Sequence, residues 1–232
     1  MVELNSKVVK CELCPRLRRY SLLVSERKRR QFISWNYWGK PLPGFGDPQA
    51  RLMILGLAPA AHGGNRTGRM FTGDGSAQFL MAALHRFGFA NQPTSESVDD
   101  GLQLCDAYMT AIVRCAPPKN KPKPNEIGNC ERYWIEEFHL LHNMGVVLAL
   151  GRIAFDEYVR FLKDEKVETN ELRFKHAAFY VLPEPYPALC ASYHPSRQNT
   201  QTGRLTVKMF DTVFQKIQGF LAAKNSNAHQ HV

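Results

Sequence analysis

This 232-residue chain lacks two things, and each absence removes a class of protein. No apolar run approaches the roughly 20 residues needed to span a bilayer, and the opening Met1-Val2-Glu3-Leu4-Asn5-Ser6-Lys7 has no apolar signal-peptide core. A soluble, cytoplasmic protein without a membrane partner is the expectation. Negative charge is scarce as well: 21 Asp and Glu stand against 30 Lys and Arg, a net charge of +9. A surface so basic concentrates polyanions, which favours nucleic acid as the partner. With 44% hydrophobic residues the chain can bury a sizeable core, so extensive disorder is excluded. One domain over residues 1–223, followed by a disordered polar tail at 224–232, is expected. Six cysteines in a reducing compartment read as metal ligands or buried thiols rather than disulfides.

What is present centres on Gly56 to Asp74, GLAPAAHGGNRTGRMFTGD, which follows the apolar run Leu52-Met53-Ile54-Leu55. Its glycines and small residues predict an irregular loop at the end of a buried strand, where α/β proteins place their chemistry. Among them stand Phe71, Asp74, His62, Arg66 and Arg69, a set suited to one flat and one anionic group.

Strands are expected at 51–57, 106–114, 146–150, 178–182 and 188–192, each a short apolar run. Helical spacing marks 76–87, 125–143, 153–162 and 205–221, with Asp74 or Ser76 as a cap for the first. Residues 8–31 read as one amphipathic helix with a basic face, and Trp35 and Trp38 as anchors of the loop that follows. Alternating strands and helices predict an α/β protein of three layers, with a mainly parallel sheet between helices. In such a sheet the polar loops 58–74, 115–124 and 193–200 converge at the carboxyl ends of the strands. Cys11 and Cys14 form a C-x2-C pair, and with Cys115 and Cys130 they can hold either Zn2+ or an iron–sulfur cluster, between which spacing does not choose. Cys105 and Cys190 lie in apolar contexts that predict buried, inert thiols.

Three features taken together resemble the family 5 uracil-DNA glycosylases: the stretch Gly56 to Asp74, the segment HPSRQNTQTGRLT from His194 to Thr206, and the set Cys11, Cys14, Cys115, Cys130. The resemblance runs from about Cys11 to about Leu221. It implies a four-stranded parallel sheet, a [4Fe-4S] cluster on the four cysteines with zinc as the lesser alternative, and hydrolysis of the N-glycosidic bond of uracil in DNA. The expected partner is single- or double-stranded DNA carrying uracil or other deaminated bases, bound by a monomer associated with the nucleoid. Under this reading Phe71 stacks on a flipped base, Ala58 lines its pocket, and His194 donates to the base oxygen that gains charge. Leu57 and Ala58 stand where better-known relatives place an acidic or polar group, which leaves Asp74 to stabilise the sugar cation and orient water. Ala111 stands where strict uracil enzymes place an asparagine, and Asn120 partly replaces it, so relaxed base specificity is expected. Arg197, Asn199, Thr200 and Arg204 are the expected DNA contacts, with Lys119, Lys121 and Lys123 on the far side of the duplex. The competing class is a non-catalytic nucleic-acid-binding protein stabilised by zinc or a cluster.

Overall fold

The computed structural model describes residues 1–228. The expected basic helix at residues 8–31 is two helices, α1 (Val2–Val9) and α2 (Pro15–Arg27), with Cys11 to Cys14 at the corner between them. Pro15 accounts for the break, because it has no N–H to continue an earlier helix yet suits the first turn of a new one. The basic face of α2 is only partly solvated. Arg16 grips Glu126 through two bonds of 2.7 and 2.6 Å, and buried Arg18 donates to Gly39 O at 2.9 Å.

The rest of the chain alternates strand and helix: β1 (Phe45–Gly46), β2 (Leu52–Gly56), α3 (Gly64–Thr67), α4 (Gly75–Arg86), β3 (Ala107–Ala111), α5 (Pro124–Leu140) and β4 (Val146–Leu150), then α6 (Arg152–Asp164), β5 (Phe179–Tyr180), β6 (Ala188–Ser192), α7 (Arg197–Gln201) and α8 (Val207–Ala228). The sheet runs β1-β3-β2-β4-β6-β5. Its four inner strands are mutually parallel, whereas β1 and β5 pair antiparallel at the edges. The expected four-stranded sheet is therefore a mixed six-stranded one, whose two-residue edges are too short to leave a period in the sequence. The expected strand 106–114 ends at Ala111, and 178–182 contracts to the β5 edge. α8 continues to Ala228, so the tail expected from 224 is helical that far, and residues 229–232 lie outside the described residues.

Each inner strand is buried throughout, as a sheet covered on both faces requires. Successive side chains alternate between two cores. Met53, Leu55, Val147 and Ala149 face Trp134, Tyr158 and Phe161 of α5 and α6, whereas Leu52, Ile54, Val146 and Leu148 face Leu80, Leu84, Phe210 and Phe214 of α4 and α8. The three-layer arrangement follows. The chain leaves β2 for β3 on one side and later crosses to β4 on the other, which makes the carboxyl ends beside β2 the natural crevice.

Within the first core lies a buried polar knot. Glu137 of α5 accepts from Arg114 Nη2 at 2.6 Å, Thr110 Oγ1 at 2.5 Å, Tyr108 OH at 3.2 Å and Gly44 N at 3.2 Å. A Cβ on Gly44 would sit 2.2 Å from Tyr108 OH, so only glycine lets the backbone reach the carboxylate. Removing one partner of a buried pair strands the other charge. We expect Arg114→Met to cost about 3–5 kcal/mol in chemical denaturation. The double variant Arg114→Met, Glu137→Leu should recover most of that loss. Equal midpoints for the single variant and the parent would contradict the assignment.

Candidate functional site

A cavity of about 310 Å3 opens at the carboxyl end of the sheet, lined by Ala58, Phe71, Asp74, Asn120 and His194. These residues come from three loops widely separated in sequence, those after β2, β3 and β6. The five positions assigned to catalysis or base binding are thus brought together. Leu57 and Ala111 also line the cavity, so apolar groups occupy the two positions at which an acid and an amide were found wanting. Pro59, Ala60, Gly64, Met70, Ser76 and Ser196 complete the wall, none of them marked for the pocket, since small and apolar residues leave little chemical signature in a sequence.

Phe71 adopts φ +46, a left-handed conformation that a bulky side chain enters only when its surroundings impose it. Its ring lies against Gly56, where a Cβ would approach to 2.7 Å, and near the His194 imidazole, with centroids 6.4 Å apart and planes at 30°. Asp74 caps α4, its Oδ1 accepting from Ser76 N at 2.8 Å and Ala77 N at 2.9 Å. Its Oδ2 lies beside Gly63, where a Cβ would come within 2.2 Å. The helix cap therefore orients the second oxygen, and both readings of Asp74 are compatible in one geometry. Burial holds the His194 imidazole below its ordinary pKa, partly offset by the Asp74 carboxylate. Asn120 enters from a turn in which it and Lys119 both have positive φ, 55° and 56°.

The loop 56–74 is more ordered than expected, because α3 forms a helical turn inside it. Its arginines are not anion receptors. Arg66 is buried with Phe32 and Trp35 each 4.0 Å from its guanidinium, and it donates to His62 O and Gly73 O at 2.9 Å. Arg69 pairs with Asp100 at 2.7 Å and also holds Thr72 and Ser95. Both cations brace the loop from within. Trp38 does anchor its segment, lying over Gly68 and donating to Pro41 O at 3.2 Å.

The expected DNA-contact loop after His194 is also partly helical: Ser196 caps α7 by accepting from Asn199 N at 3.3 Å. Arg197 is exposed and packs its guanidine Nε over Gly75, at the start of α4 and beside the cavity. Asn199 Nδ2 donates to His194 O at 2.8 Å, and Thr200 Oγ1 donates to Ser196 O at 3.2 Å, so both side chains are committed within the turn. Arg204 is exposed and lies 4.8 Å over the Tyr193 ring.

All six cysteines are free. Cys190 is buried as expected, but Cys105 is exposed, because β3 begins only at Ala107 and leaves it on the connector. Cys115 and Cys130 belong to the first core, and Cys11 and Cys14 pack against it. Burial, with a smaller contribution from the charge of Cys11, pushes the Cys115 thiol up to about 12 and that of Cys130 up to about 11, against the lowering effect of Arg18 and Arg114 respectively. The four sulfurs thus share one neighbourhood. Among the described residues no three His, Cys, Asp or Glu side chains are grouped so as to hold a single metal ion.

Residues 43–218 match the model of the Uracil DNA glycosylase superfamily. The chain is 51% identical over 200 residues to the type-5 uracil-DNA glycosylase of Thermus thermophilus, a match covering 86% of this chain and 89% of that protein. It is 44% identical over 211 residues to the type-5 enzyme of Pyrobaculum aerophilum, covering 91% and 89% respectively. The type-4 uracil-DNA glycosylase of Thermotoga maritima is 26% identical over 171 residues, covering 73% and 69%.

Three histidines, His62, His176 and His194, share one electrostatic condition: burial lowers the pKa of each. A group whose folded pKa lies below its unfolded value of about 6.5 stabilises the fold fully above that value and loses this contribution as pH falls through the folded pKa. Urea midpoints should be flat from pH 8 to about 6.5 and then decline. Substituting His62→Gln should flatten part of the decline, whereas an unchanged acid slope would sink the attribution.

Proposed function

The chain belongs to the uracil DNA glycosylase superfamily, within its type-5 branch, and on that premise we propose that it excises uracil from DNA by hydrolysing the N-glycosidic bond. The observation that carries the reading is the cavity in which Phe71, Asp74, Asn120 and His194 meet from three loops. Its chemistry suits a nucleotide turned out of the stack, because bases inside a duplex are out of reach of such a pocket. The ring of Phe71 offers a stacking face to the base. His194 supplies an N–H to a base carbonyl oxygen; its depressed pKa supports a neutral imidazole as the donor at physiological pH.

As the C1′–N bond breaks, its electron pair leaves with the base and positive charge develops on the sugar. The Asp74 carboxylate stabilises that charge and orients the water that adds to C1′, while the departing base is the eventual destination of a proton. Asn120 hydrogen-bonds the base from the turn above. With Ala111 in place of a dedicated base-reading amide, hypoxanthine and xanthine are further substrates. Arg197, Arg204 and the exposed Lys119, Lys121 and Lys123 lie on the segments that carry His194 and Asn120 and suit phosphate contacts on either side of the lesion, in single- or double-stranded DNA. The protein acts as a monomer at the nucleoid.

The cysteines Cys11, Cys14, Cys115 and Cys130 suit a [4Fe-4S] cluster. What supports the reading is that all four thiols sit in one core, close enough for the charges of Cys11 and Cys14 to reach Cys130. Burial raises the pKa of Cys14, Cys115 and Cys130, so binding a metal there must displace thiol protons. The group would staple the corner between α1 and α2 to the start of α5, leaving base excision to the protein's own side chains.

The test is alkali-labile nicking of a uracil-containing oligonucleotide under single-turnover conditions. His194→Ala should slow excision by about 10²–10³-fold through loss of one charge-stabilising donor. Asp74→Asn keeps a good helix cap and should still fold, so its loss of rate isolates the carboxylate. Full excision by both variants would overturn these roles, and no nicking by the parent would favour a non-catalytic binding protein. Cys115→Ser should lower the iron content per chain and bleach the visible absorption; unaltered iron would remove Cys115 from the ligand set.

A further inference from the structure

We propose that His176 is a positioning residue for His194, acting through the peptide that joins Ser192 to Tyr193. His176 lies far from His194 in sequence, on the connector between α6 and β5, and its ring stacks on Tyr193 with centroids 5.0 Å apart and planes at 24°. Its two nitrogens have different partners. Nε2 lies 3.2 Å from Met209 O, a carbonyl that can only accept, so Nε2 carries the proton. Nδ1 is then bare and accepts from Tyr193 N at 3.3 Å. Ser192 Oγ, 3.4 Å from Nδ1, donates to Tyr193 O at 2.9 Å.

This arrangement fixes the strand end from behind. On the other side, His194 O accepts from Ser196 N at 2.8 Å and from Asn199 Nδ2 at 2.8 Å. The backbone on both flanks of His194 is thereby clamped, and the His176 side of the clamp works only in the neutral Nε2–H tautomer. Protonation would set a second N–H against Tyr193 N. Burial and Lys216 both lower the pKa of His176, which keeps that tautomer, while Met209 O opposes them. Lys216 also donates to Ala177 O at 2.7 Å and Ala177 N to Ala191 O at 2.9 Å, so the residue following His176 is tied to both α8 and β6. A displacement of about 1 Å at a reacting group can cost about 10²-fold in rate, which makes such a clamp consequential.

The inference rests on the glycosylase reading, and two amide substitutions separate its mechanism from packing. In His176→Asn the amide oxygen falls near the place of Nδ1 and can still accept from Tyr193 N. In His176→Gln the amide reaches the place of Nε2 and leaves Tyr193 N without an acceptor. We expect His176→Ala and His176→Gln to slow single-turnover excision by about 10–100-fold, with affinity for uracil-free DNA within about twofold of the parent and with His176→Asn recovering most of the rate. Equal rates for the Asn and Gln variants, or a rate unchanged in His176→Ala, would overturn it. Imidazole 15N spectra of the parent should show a protonated Nε2 and a bare Nδ1 on His176, a result independent of activity; the opposite tautomer would refute the clamp. A parent that spans this NMR test but does not excise uracil refutes the glycosylase reading instead.

Discussion

The buried carboxylate of Glu137 is the constraint on which much of the architecture depends. Its two oxygens take donors from four places in the chain: the backbone before β1, two side chains of β3, and the arginine that follows β3. An ionised group in such a place is tolerable only if its lone pairs are filled. Filling them sets the path of the chain on both sides. Arg114 must turn inward immediately after β3, which sends Cys115 and the loop bearing Asn120 across the carboxyl end of the sheet. Arg114 N also donates to Cys130 Sγ at 3.3 Å, so the same turn joins the polar knot to the thiol neighbourhood.

The same constraint governs other cations that are buried or half-buried. A basic chain invites the expectation that its arginines meet anions outside, yet Arg16, Arg18, Arg66 and Arg69 are spent on Glu126, Gly39 O, His62 O, Gly73 O and Asp100. A planar guanidinium with several fixed donors can tie irregular backbone where a lysine cannot. The glycine-rich stretch after β2 needs such ties, since it has little side-chain volume to pack. Rigidity in that loop is thus borrowed from its neighbours, and Arg197, Arg204 and the lysines around Asn120 are among the charges left exposed to solvent.

These facts explain which features were legible in the sequence. The inner strands and the long helices were, because period and apolar runs report burial directly. So was the convergence of Asp74, Asn120 and His194, because a parallel sheet sends every loop after a strand to the same end. The edge strands Phe45–Gly46 and Phe179–Tyr180 were not, since two residues carry no period. The exposure of Cys105 turned on a strand boundary two residues away, and boundaries are where pattern is weakest. Arg66 could not be told from an anion receptor, because its role is set by Phe32 and Trp35, some 30 residues earlier, and nothing local marks that distance. His176 escaped for the same reason: its partners, Tyr193 and Met209, meet it only in the folded chain.

At the centre of the cavity, the groups proposed for the chemistry also carry structural duties. Asp74 gives one oxygen to the first N–H groups of α4, which fixes its carboxylate plane and turns the other oxygen toward Gly63. A residue free of the helix would reach a similar spot only by giving up side-chain freedom at the moment of reaction; here that freedom is already lost on folding. Phe71 is held likewise, in a strained φ, its ring in the space that Gly56 leaves open. The glycines at 56 and 63 therefore act by exclusion, each leaving a space that one specific side chain fills. Replacing either would move the group beside it before touching any partner in the pocket, which is why the spacing of small residues in this loop matters to the chemistry as much as the residues that carry it.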